Sequence, residues 1–366
     1  MTCRACSSVL CSLDRGRSVA VRDALHRRKN EDTISYRIFS AAFHGIYKQR
    51  GIMSLAQDSF TADTWPIATC LHAFPPVDKH GVAMHDAPSA VWDDMFAQVA
   101  EVGFTLAELA DSHVRPADLE RSRRDEFLSI AKSHGVGIPS VHLQRQSVIM
   151  PGREEKNLAY AHRTIDAAAE WGMQVFSTGL HQPFNEAQKK ALWFWTAQGP
   201  KGPDGPDVRN TAVARIRELG EHAASVGLLM SLELYEDTYL GTADSAVRFV
   251  EAVGLDNVGL NPDVANLIRL HRPVEDWREL YAKTLPYANY WHVKNYTRDE
   301  SADGTWSTSV PSTLETGLIN YRQVFHDAIG LGFNGIILAE QYGGDSLGIC
   351  ATNQKYIRTL LPQATK

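Results

Sequence analysis

The chain lacks several features that would point to common classes of function. Its 366 residues contain no run of about 18 apolar residues, so no segment is predicted to cross a membrane. No Gly-rich fingerprint opens a helix, which removes the usual nucleotide-binding alternative. The net charge of −6 argues against a nucleic-acid partner, because such a partner favours a basic protein face.

Cysteine is also scarce, with five residues in the chain. Cys3, Cys6 and Cys11 lie near the start, and Cys70 and Cys350 are isolated. The Cys3–Cys6 spacing resembles a metal motif, but no second pair follows it, so we predict no metal site there. The absence of a disulfide framework is typical of a cytoplasmic protein.

The first 52 residues differ in composition from the rest of the chain. They carry ten Lys and Arg residues against four Asp and Glu residues, and they have no clear strand or helix period. A transit peptide, a natural start at Met53 and a disordered tail all remain open. We therefore predict an N-terminal extension over residues 1–60 and a single metal-dependent barrel over residues 61–366.

A recurring unit organises the chain from residue 65 onward, although its sequence does not repeat. An amphipathic helix ends at a glycine and a short apolar run follows, as in ASVGLLMSLEL and EAVGLDNVGL. Eight such alternations predict a (β/α)8 TIM barrel rather than an open sheet. The predicted strands are 67–73, 104–108, 138–143, 173–179, 228–233, 257–262, 289–294 and 334–340. The predicted helices are 89–102, 118–134, 154–171, 209–226, 243–253, 275–285, 320–331 and 352–361.

A long insertion follows the predicted fourth strand, over residues 181–208. Connections of this length are uncommon unless they have a role. Its first half is predicted to form a short helix that carries Trp193, Phe194 and Trp195. In a barrel this loop rises over the mouth, so we predict that Trp193 or Trp195 contacts the substrate.

Four residues near the ends of the last four predicted strands carry the main functional signal. They are Glu233, Asp263, His292 and Glu340, separated by 30, 29 and 48 residues. Parallel barrel strands bring their carboxyl ends to one place, so these side chains are predicted to bind one divalent metal ion. Three carboxylates and one imidazole suit Mn2+ best in our interpretation, with Mg2+ and Co2+ as alternatives.

Other polar side chains fall at the predicted mouth of the barrel. His142 ends the third strand and is the predicted proton-transfer residue. Glu108, His181, Asn266 and Lys294 are predicted substrate contacts, and His113 lies just beyond Glu108. For each of these residues alone, a hydrogen-bonded structural role is the competing interpretation.

Four segments carry a family resemblance: SLELYEDT, NPDVANL, WHVKNY and LAEQYGGD. In order and spacing they resemble the xylose isomerase-like barrel family of sugar isomerases and epimerases. The resemblance implies that Glu233, Asp263, His292 and Glu340 bind one Mn2+-like ion, and that Glu233 and Glu340 can shuttle protons. Many relatives carry a histidine where this chain has Asn266, and an amide is neither an acid nor a base near neutral pH. That departure counts against a two-metal site, against ordinary ketose epimerisation and against the endonucleases that share this barrel.

Longer segments are similar to the large subunits of bacterial C-glycoside deglycosidases, namely NPDVANLIRLHRPVEDW, STLETGLINYR and AEQYGGDSLG. This resemblance implies cleavage of 3-oxo-glycosides and a small β-rich partner subunit. Our first prediction is therefore a lyase that removes a proton and expels the aglycone by β-elimination. A ketose epimerase or aldose–ketose isomerase is the alternative, and a non-catalytic sugar-binding barrel is the third possibility.

Overall fold

Parallel strand pairing runs around almost the whole circumference of a barrel in the computed structural model, which describes residues 60–364. The barrel strands are β1 (Ile67–Cys70), β2 (Ala107–Ala110), β3 (Ser140–Leu143), β4 (Val175–Thr178), β5 (Leu229–Glu233), β6 (Val258–Asn261), β7 (Trp291–Val293) and β10 (Ile337–Ala339). They are ordered β6-β5-β4-β3-β2-β1-β10-β7, which confirms the predicted TIM barrel. The extension predicted over residues 1–60 lies, apart from Phe60, outside the described residues.

The barrel closes between β6 and β7 through a few contacts rather than a full ladder. Leu260 forms a parallel bridge with Ala288, and the Asn289 backbone N–H donates to the Leu260 carbonyl at 3.2 Å. The Asn261 side chain accepts from the His292 backbone N–H at 2.8 Å. A side-chain amide thus takes the place of a backbone partner at this seam.

Every residue of the eight barrel strands is buried, as continuous apolar runs predict. The strands are shorter than predicted. The first was predicted over 67–73 but ends at Cys70, because Leu71–Ala73 turn into a 3-10 helix. Short strands leave polar residues such as His72 in the loops that rise around the barrel mouth.

Helices cover the outside of the barrel between successive strands. They are α1 (Ser89–Glu101), α2 (Arg121–Ser133), α3 (Glu154–Glu170), α4 (Glu186–Lys190), α5 (Pro206–Ser225), α6 (Ala243–Val253), α7 (Ala265–Ile268), α8 (Trp277–Thr284), α9 (Tyr321–Gly330) and α10 (Ser346–Leu360). Short 3-10 helices occupy Met84–Asp86, Pro116–Asp118, Phe194–Thr196 and Leu285–Tyr287. None of the helices between residues 60 and 364 combines the length and apolar character that crossing a membrane requires.

Local signals explain where these helices begin and end. Thr242 caps α6 by accepting from the Ser245 backbone N–H at 3.2 Å, and Gly254 ends it in the left-handed conformation with φ +68°. The last helix was predicted to begin at residue 352 but begins at Ser346. The Asp345 side chain caps it by accepting from the Gly348 backbone N–H at 2.8 Å. Because of this cap, α10 begins six residues earlier than predicted.

A β-hairpin between β7 and α9 was not predicted. Its strands are β8 (Asn295–Glu300) and β9 (Ser307–Ser312), which pair in antiparallel register. Most of β8 is polar and solvent-accessible, so it has none of the apolar alternation from which strands are recognised. Arg298 joins the hairpin to the barrel by donating to the carbonyls of Ile268, Leu270 and Arg272 at 2.6–3.0 Å.

The prediction of one helix carrying Trp193, Phe194 and Trp195 is wrong. Helix α4 ends at Lys190. Trp193 has an extended backbone, and Phe194 and Trp195 lie in the 3-10 helix Phe194–Thr196. The rings of Trp193 and Trp195 stack with centroids 5.1 Å apart and planes at 18°. Side chains two residues apart point to different sides of an α-helix, so this stacking is not compatible with the predicted helix over these residues.

Candidate metal centre and substrate cavity

Four strand ends bring three carboxylates and one imidazole together at the barrel mouth. Glu233 ends β5, Asp263 follows β6, His292 lies in β7 and Glu340 follows β10. One ligand atom from each lies within 4.8 Å of all the others, and all four side chains are buried. The structure therefore brings the four predicted ligands into a single cluster.

The charge of this cluster fits a bound divalent cation. The Lys294 ammonium pairs with Asp263 and lies 3.0 Å from Glu340, yet one ammonium does not balance three carboxylates. Burial raises the pKa of Asp263 to about 7 even with Lys294 beside it. Its Oδ1 atom is buried without a hydrogen-bond partner among the described residues. An additional cation would favour the ionised carboxylates and give this oxygen a partner.

His292 uses its two ring nitrogens differently. Nδ1 faces the cluster, 3.1 Å from Glu340 and 3.3 Å from Glu233. Nε2 faces away from it, 3.4 Å from Glu108. A histidine that ligates a metal commonly donates its other N–H to a carboxylate, which sets the tautomer. The arrangement leaves Nδ1 as the nitrogen able to hold a metal ion.

Glu108 lies behind His292 and is not among the described residues that border the cavity. The side chain is fully buried. It accepts hydrogen bonds from the Tyr290 hydroxyl at 2.6 Å and from the Ser140 hydroxyl at 3.3 Å. Burial opposes ionisation of Glu108, but His292 together with His142 and Tyr290 outweighs it and lowers its pKa. Glu108 is therefore an ionised group that positions His292.

Asn266 holds two of the predicted ligands in place. Its Nδ2 group lies 3.2 Å from Glu233 Oε1, 3.0 Å from Asp263 Oδ2 and 3.1 Å from the Leu234 carbonyl. These are donor contacts, because carboxylates and carbonyls only accept. Asn266 also borders the cavity. Its neutral amide therefore orients Glu233 and Asp263 without placing another titratable group beside them.

Two further histidines contact Glu233. His181 Nε2 lies 2.7 Å and His142 Nε2 lies 3.3 Å from the same carboxylate oxygen. Burial lowers the pKa of both imidazoles despite the neighbouring Glu233 carboxylate. Of the two, only His181 is among the described residues that border the cavity. His142 lies deeper, between Glu233 and Glu108.

The cavity over this cluster has a volume of about 680 Å3. That is within the range of pockets that enclose ligands larger than a single sugar. Glu233, Glu340, His181 and Asn266 border it on the side of the predicted metal ligands. Loops after β2, β3 and β4 contribute Asp111, Arg115, Arg145, Phe184 and Phe194.

The aromatic residues that border the cavity are not the tryptophans singled out from the sequence. Trp195 is buried against Tyr296 and Tyr342, with ring centroids 5.3 Å away in both pairs, and its ring stacks on that of Trp193. Phe184 and Phe194 border the cavity instead. Lys294 is likewise fully buried among the acids and does not border the cavity.

Arg145 is a cavity residue that sequence reasoning missed. Its backbone has φ +52°, a conformation that non-glycine residues rarely adopt. Its guanidinium lies 3.3 Å from the Phe184 ring centroid and donates to the Gln182 carbonyl and the Tyr235 hydroxyl at 2.7–2.8 Å. Strained backbone of this kind clusters at functional sites, but no sequence pattern marks it.

His72 and Asp111 also border the cavity. Each lies just after the end of a barrel strand, as the predicted metal ligands Asp263 and Glu340 do. His72 Nε2 lies 3.5 Å from Glu340 Oε1. Asp111 follows β2 directly, accepts from the Gln144 backbone N–H at 2.8 Å, and has a pKa that burial raises to about 7. The Nε2–H of His113 donates to the Phe74 carbonyl at 2.8 Å, because a carbonyl can only accept. Burial lowers the pKa of His113 to about 4.

Comparisons with known proteins agree with this architecture. The profile of the Xylose isomerase-like TIM barrel family matches residues 96–360. A magnesium-bound protein of that description from Mycobacterium smegmatis has 44% identity over 82% of this chain and 98% of its own, with a TM-score of 0.78.

More distant structures share the fold. The D-psicose 3-epimerase of Clostridium cellulolyticum H10, with D-tagatose, has 15% identity over 82% of this chain and 100% of its own, at TM-score 0.59. The probable 3-DHS dehydratase of Bacillus anthracis has 17% identity over 80% of this chain and 98% of its own, at TM-score 0.55. No curated protein matches the chain at a significant level. The extent of the profile match and the 44% identical structure show that this chain belongs to the xylose isomerase-like TIM barrel family.

Proposed function

We propose that this protein is a divalent-metal-dependent sugar isomerase or epimerase that moves a proton on the carbon next to a carbonyl group. The observation that carries the proposal is the position of Glu233 and Glu340. Both carboxylates border the cavity, and both approach the same nitrogen of His292, at 3.3 and 3.1 Å. One substrate carbon placed there would be within reach of two bases.

In this proposal Glu233 and Glu340 have complementary roles in proton transfer. One glutamate takes the proton from the carbon beside the carbonyl, and the other returns a proton to the same carbon or to its neighbour. Return to the opposite face gives an epimer, and return to the neighbouring carbon gives an isomer. A divalent ion held by Glu233, Asp263, His292 and Glu340 would supply Lewis-acid polarisation of the carbonyl.

Support for the metal comes from two sources. The 44% identical protein has been solved in complex with magnesium, and this chain matches 98% of the length of that protein. The donor set of three carboxylates and one imidazole suits Mn2+, Mg2+ or Co2+. We propose Mn2+ as the most effective ion, because it accepts imidazole more readily than Mg2+ does.

Cleavage of 3-oxo-C-glycosides is the second candidate, favoured by the volume of the cavity and by the aromatic residues Phe184 and Phe194 in its wall. A ketone at C3 acidifies the C2 proton. Removal of that proton forms a C1–C2 double bond and breaks the bond from C1 to the aglycone carbon, which leaves with the electron pair and is then protonated. His181 borders the cavity and His142 lies behind it, so either could relay that proton through Glu233. The small β-rich partner subunit remains part of this candidate.

The test separates the candidates by product. Purified full-length protein loaded with Mn2+ is incubated with free ketohexoses and, separately, with a 3-oxo-C-glycoside, and the products are separated by chromatography. Interconverted ketohexoses support the first candidate, and released aglycone supports the second. Binding of a sugar with no turnover of either substrate overturns both and leaves a sugar-binding barrel.

Matched variants connect the activity to the two glutamates. Glu233→Gln and Glu340→Gln should each lower kcat by at least about 100-fold, the usual loss when a general acid or base is removed. Glu315→Gln makes the same change at an exposed position and should keep wild-type activity. Activity retained in both cavity variants would contradict the assigned roles.

A further inference from the structure

The arginine in the loop after β3 borders the cavity without a carboxylate partner. Arg145 is half-buried there, and its side-chain hydrogen bonds go to two neutral groups, the Gln182 carbonyl and the Tyr235 hydroxyl. Among residues 60–364 its guanidinium forms no ion pair with an Asp or a Glu. A charge withdrawn from water is normally paired, so this one favours an anion supplied by a ligand.

The guanidinium of Arg145 is held in a fixed orientation. One face lies 3.3 Å from the Phe184 ring centroid, and the two terminal nitrogens donate to Gln182 at 2.8 Å and to Tyr235 at 2.7 Å. These bonds use two of the five N–H groups, which leaves three for a ligand. A planar, fixed fork of donors is the geometry that binds carboxylate or phosphate through paired hydrogen bonds.

A second guanidinium adds positive charge to the same wall of the cavity. Arg269 lies 4.7 Å from the Phe194 ring centroid and 5.6 Å from that of Tyr235, and Arg145 lies 5.5 and 5.4 Å from the same two rings. In the described part of the chain, the one carboxylate paired with either arginine is Glu236, 3.5 Å from Arg269. Two cations against one acid leave this wall positively charged.

Other charged residues that border the cavity are already engaged. Arg115 pairs with Asp118 at 3.3 Å. Asp111 is the one acid besides Glu233 and Glu340 among the described residues of the cavity wall. It accepts from the Gln144 backbone N–H at 2.8 Å, and burial raises its pKa to about 7, so it carries less than a full charge at neutral pH. Arg145 is therefore the unpaired charge that a ligand would meet.

Two rings separate Arg145 from the predicted metal ligands. Glu233 lies 2.7 Å from His181 Nε2, the His181 and Tyr235 ring centroids are 4.3 Å apart, and the Tyr235 hydroxyl accepts from Arg145 at 2.7 Å. Arg145 and Glu233 nevertheless border the same cavity. A ligand group on Arg145 would thus lie at the far end of the substrate from the carbon between Glu233 and Glu340.

We propose that Arg145 binds an anionic group, phosphate or carboxylate, at the end of the substrate remote from the reacting carbon. This inference rests on the proposed function in taking the ligand to be a carbonyl sugar. It narrows the substrate class to ketose phosphates and keto-sugar acids. A neutral sugar would leave the charge of Arg145 unmatched.

The experiment measures sugar binding by isothermal titration to the full chain loaded with Mn2+. D-Fructose 6-phosphate is compared with neutral 6-O-methyl-D-fructose, and D-fructuronate with its methyl ester, so each pair differs in charge at C6. The wild type should bind the anionic member of at least one pair about 10- to 100-fold more tightly, the usual gain from charge-assisted hydrogen bonds. The pair that shows the preference distinguishes phosphate from carboxylate.

Variants of Arg145 connect the preference to its guanidinium. Arg145→Gln should abolish the preference, and Arg145→Lys should keep part of it, because the charge remains without the fork. The readout is the ratio of the two affinities, since any loss of packing against Phe184 weakens both members of a pair and cancels. The matched control is Arg121→Gln, which removes a guanidinium that is 86% exposed and should keep the wild-type ratio.

Either of two outcomes would overturn the proposal. One is a wild type without preference in both pairs, and the other is a preference that persists in Arg145→Gln, which would place the anion on the metal ion. Binding requires no turnover, so this inference and the proposed function fail separately. Conversion of neutral ketohexoses without an anion preference overturns the inference alone. A preference that depends on Arg145, without turnover of any sugar, supports the anion site and overturns the proposed function.

Discussion

His292 and Glu108 form a buried pair, with Nε2 of the imidazole 3.4 Å from the carboxylate. The opposite nitrogen of the same ring faces Glu340. Because imidazole has only two ring nitrogens, the Glu108 contact leaves Nδ1 alone available to the predicted metal. Glu108 thus determines which ring nitrogen His292 presents to the predicted metal centre.

Glu108→Gln should therefore weaken metal binding without abolishing it. The amide keeps the size of the side chain but loses the charge that favours the Nε2–H tautomer of His292. We expect Mn2+ affinity to fall about 10- to 100-fold, as is common when a hydrogen-bond partner of a metal ligand is changed. Isothermal titration measures the change, and wild-type affinity would show that Glu108 does not position the ring.

Removal of the metal should destabilise the wild type because the clustered carboxylates would face one another with Lys294 as their only ammonium partner among residues 60–364. A ligand present at 100 times its Kd contributes about 2.7 kcal/mol to the free energy of unfolding. EDTA should accordingly lower the Tm of the wild type. Asp263→Asn should bind no ion and show a Tm that EDTA leaves unchanged; a chelator response equal to that of the wild type would contradict the ligand assignment.

Asp111 should make stability depend on pH. Burial raises its pKa from 3.8 to about 7 in the folded protein, so the folded state holds the proton more tightly than the unfolded state. The stability from this group is present below the unfolded pKa and is lost as pH rises toward 7. Asp111→Asn keeps an oxygen for the Gln144 N–H and removes the titration.

Urea unfolding at pH 5 and pH 8 measures this effect. Relative to Asp111→Asn, the wild type should lose on the order of 1–3 kcal/mol of unfolding free energy between the two values. A difference between the two proteins that does not change with pH would show that Asp111 is ionised throughout this range.

Gly259 should be intolerant of a side chain because it lies where the barrel closes. A Cβ atom there would come within 2.7 Å of the Tyr287 carbonyl and 2.5 Å of Asn289. We expect Gly259→Ala to cost about 1–3 kcal/mol, the usual range for overpacking. A Cβ atom added at Gly330, at the end of α9, would contact nothing within 4 Å, so Gly330→Ala should be neutral or slightly stabilising. Chemical unfolding of both variants provides the comparison.

The barrel and the central cluster follow directly from sequence pattern. Continuous apolar runs ending in Glu233 or followed by Glu340 mark buried parallel strands, and parallel strands place their ends together. Gly227 and Gly254, in the two helix-end segments quoted from the sequence, have positive φ, as do Gly103, Gly135, Gly172 and Gly332 after other helices. These features depend on contacts that are local along the chain or on a rule common to every barrel.

The hairpin Asn295–Ser312 and the cavity wall could not be derived in that way. The hairpin is polar, and the choice of Phe184 and Phe194 over Trp193 and Trp195 depends on how the insertion packs against Tyr296 and Tyr342. The sequence predicted that the aromatic residues of the insertion lie over the barrel mouth. The packing of the insertion determines which of them border the cavity.

The sequence alone determined that Glu233, Asp263, His292 and Glu340 gather at the barrel mouth, because strand ends converge in any arrangement of this kind. Tertiary structure alone decided what each side chain does there. Glu108 and Lys294 lie behind the cavity, and Arg145 enters it from strained backbone. Such roles depend on distances between residues far apart in the chain, and those distances arise only when the whole barrel has closed.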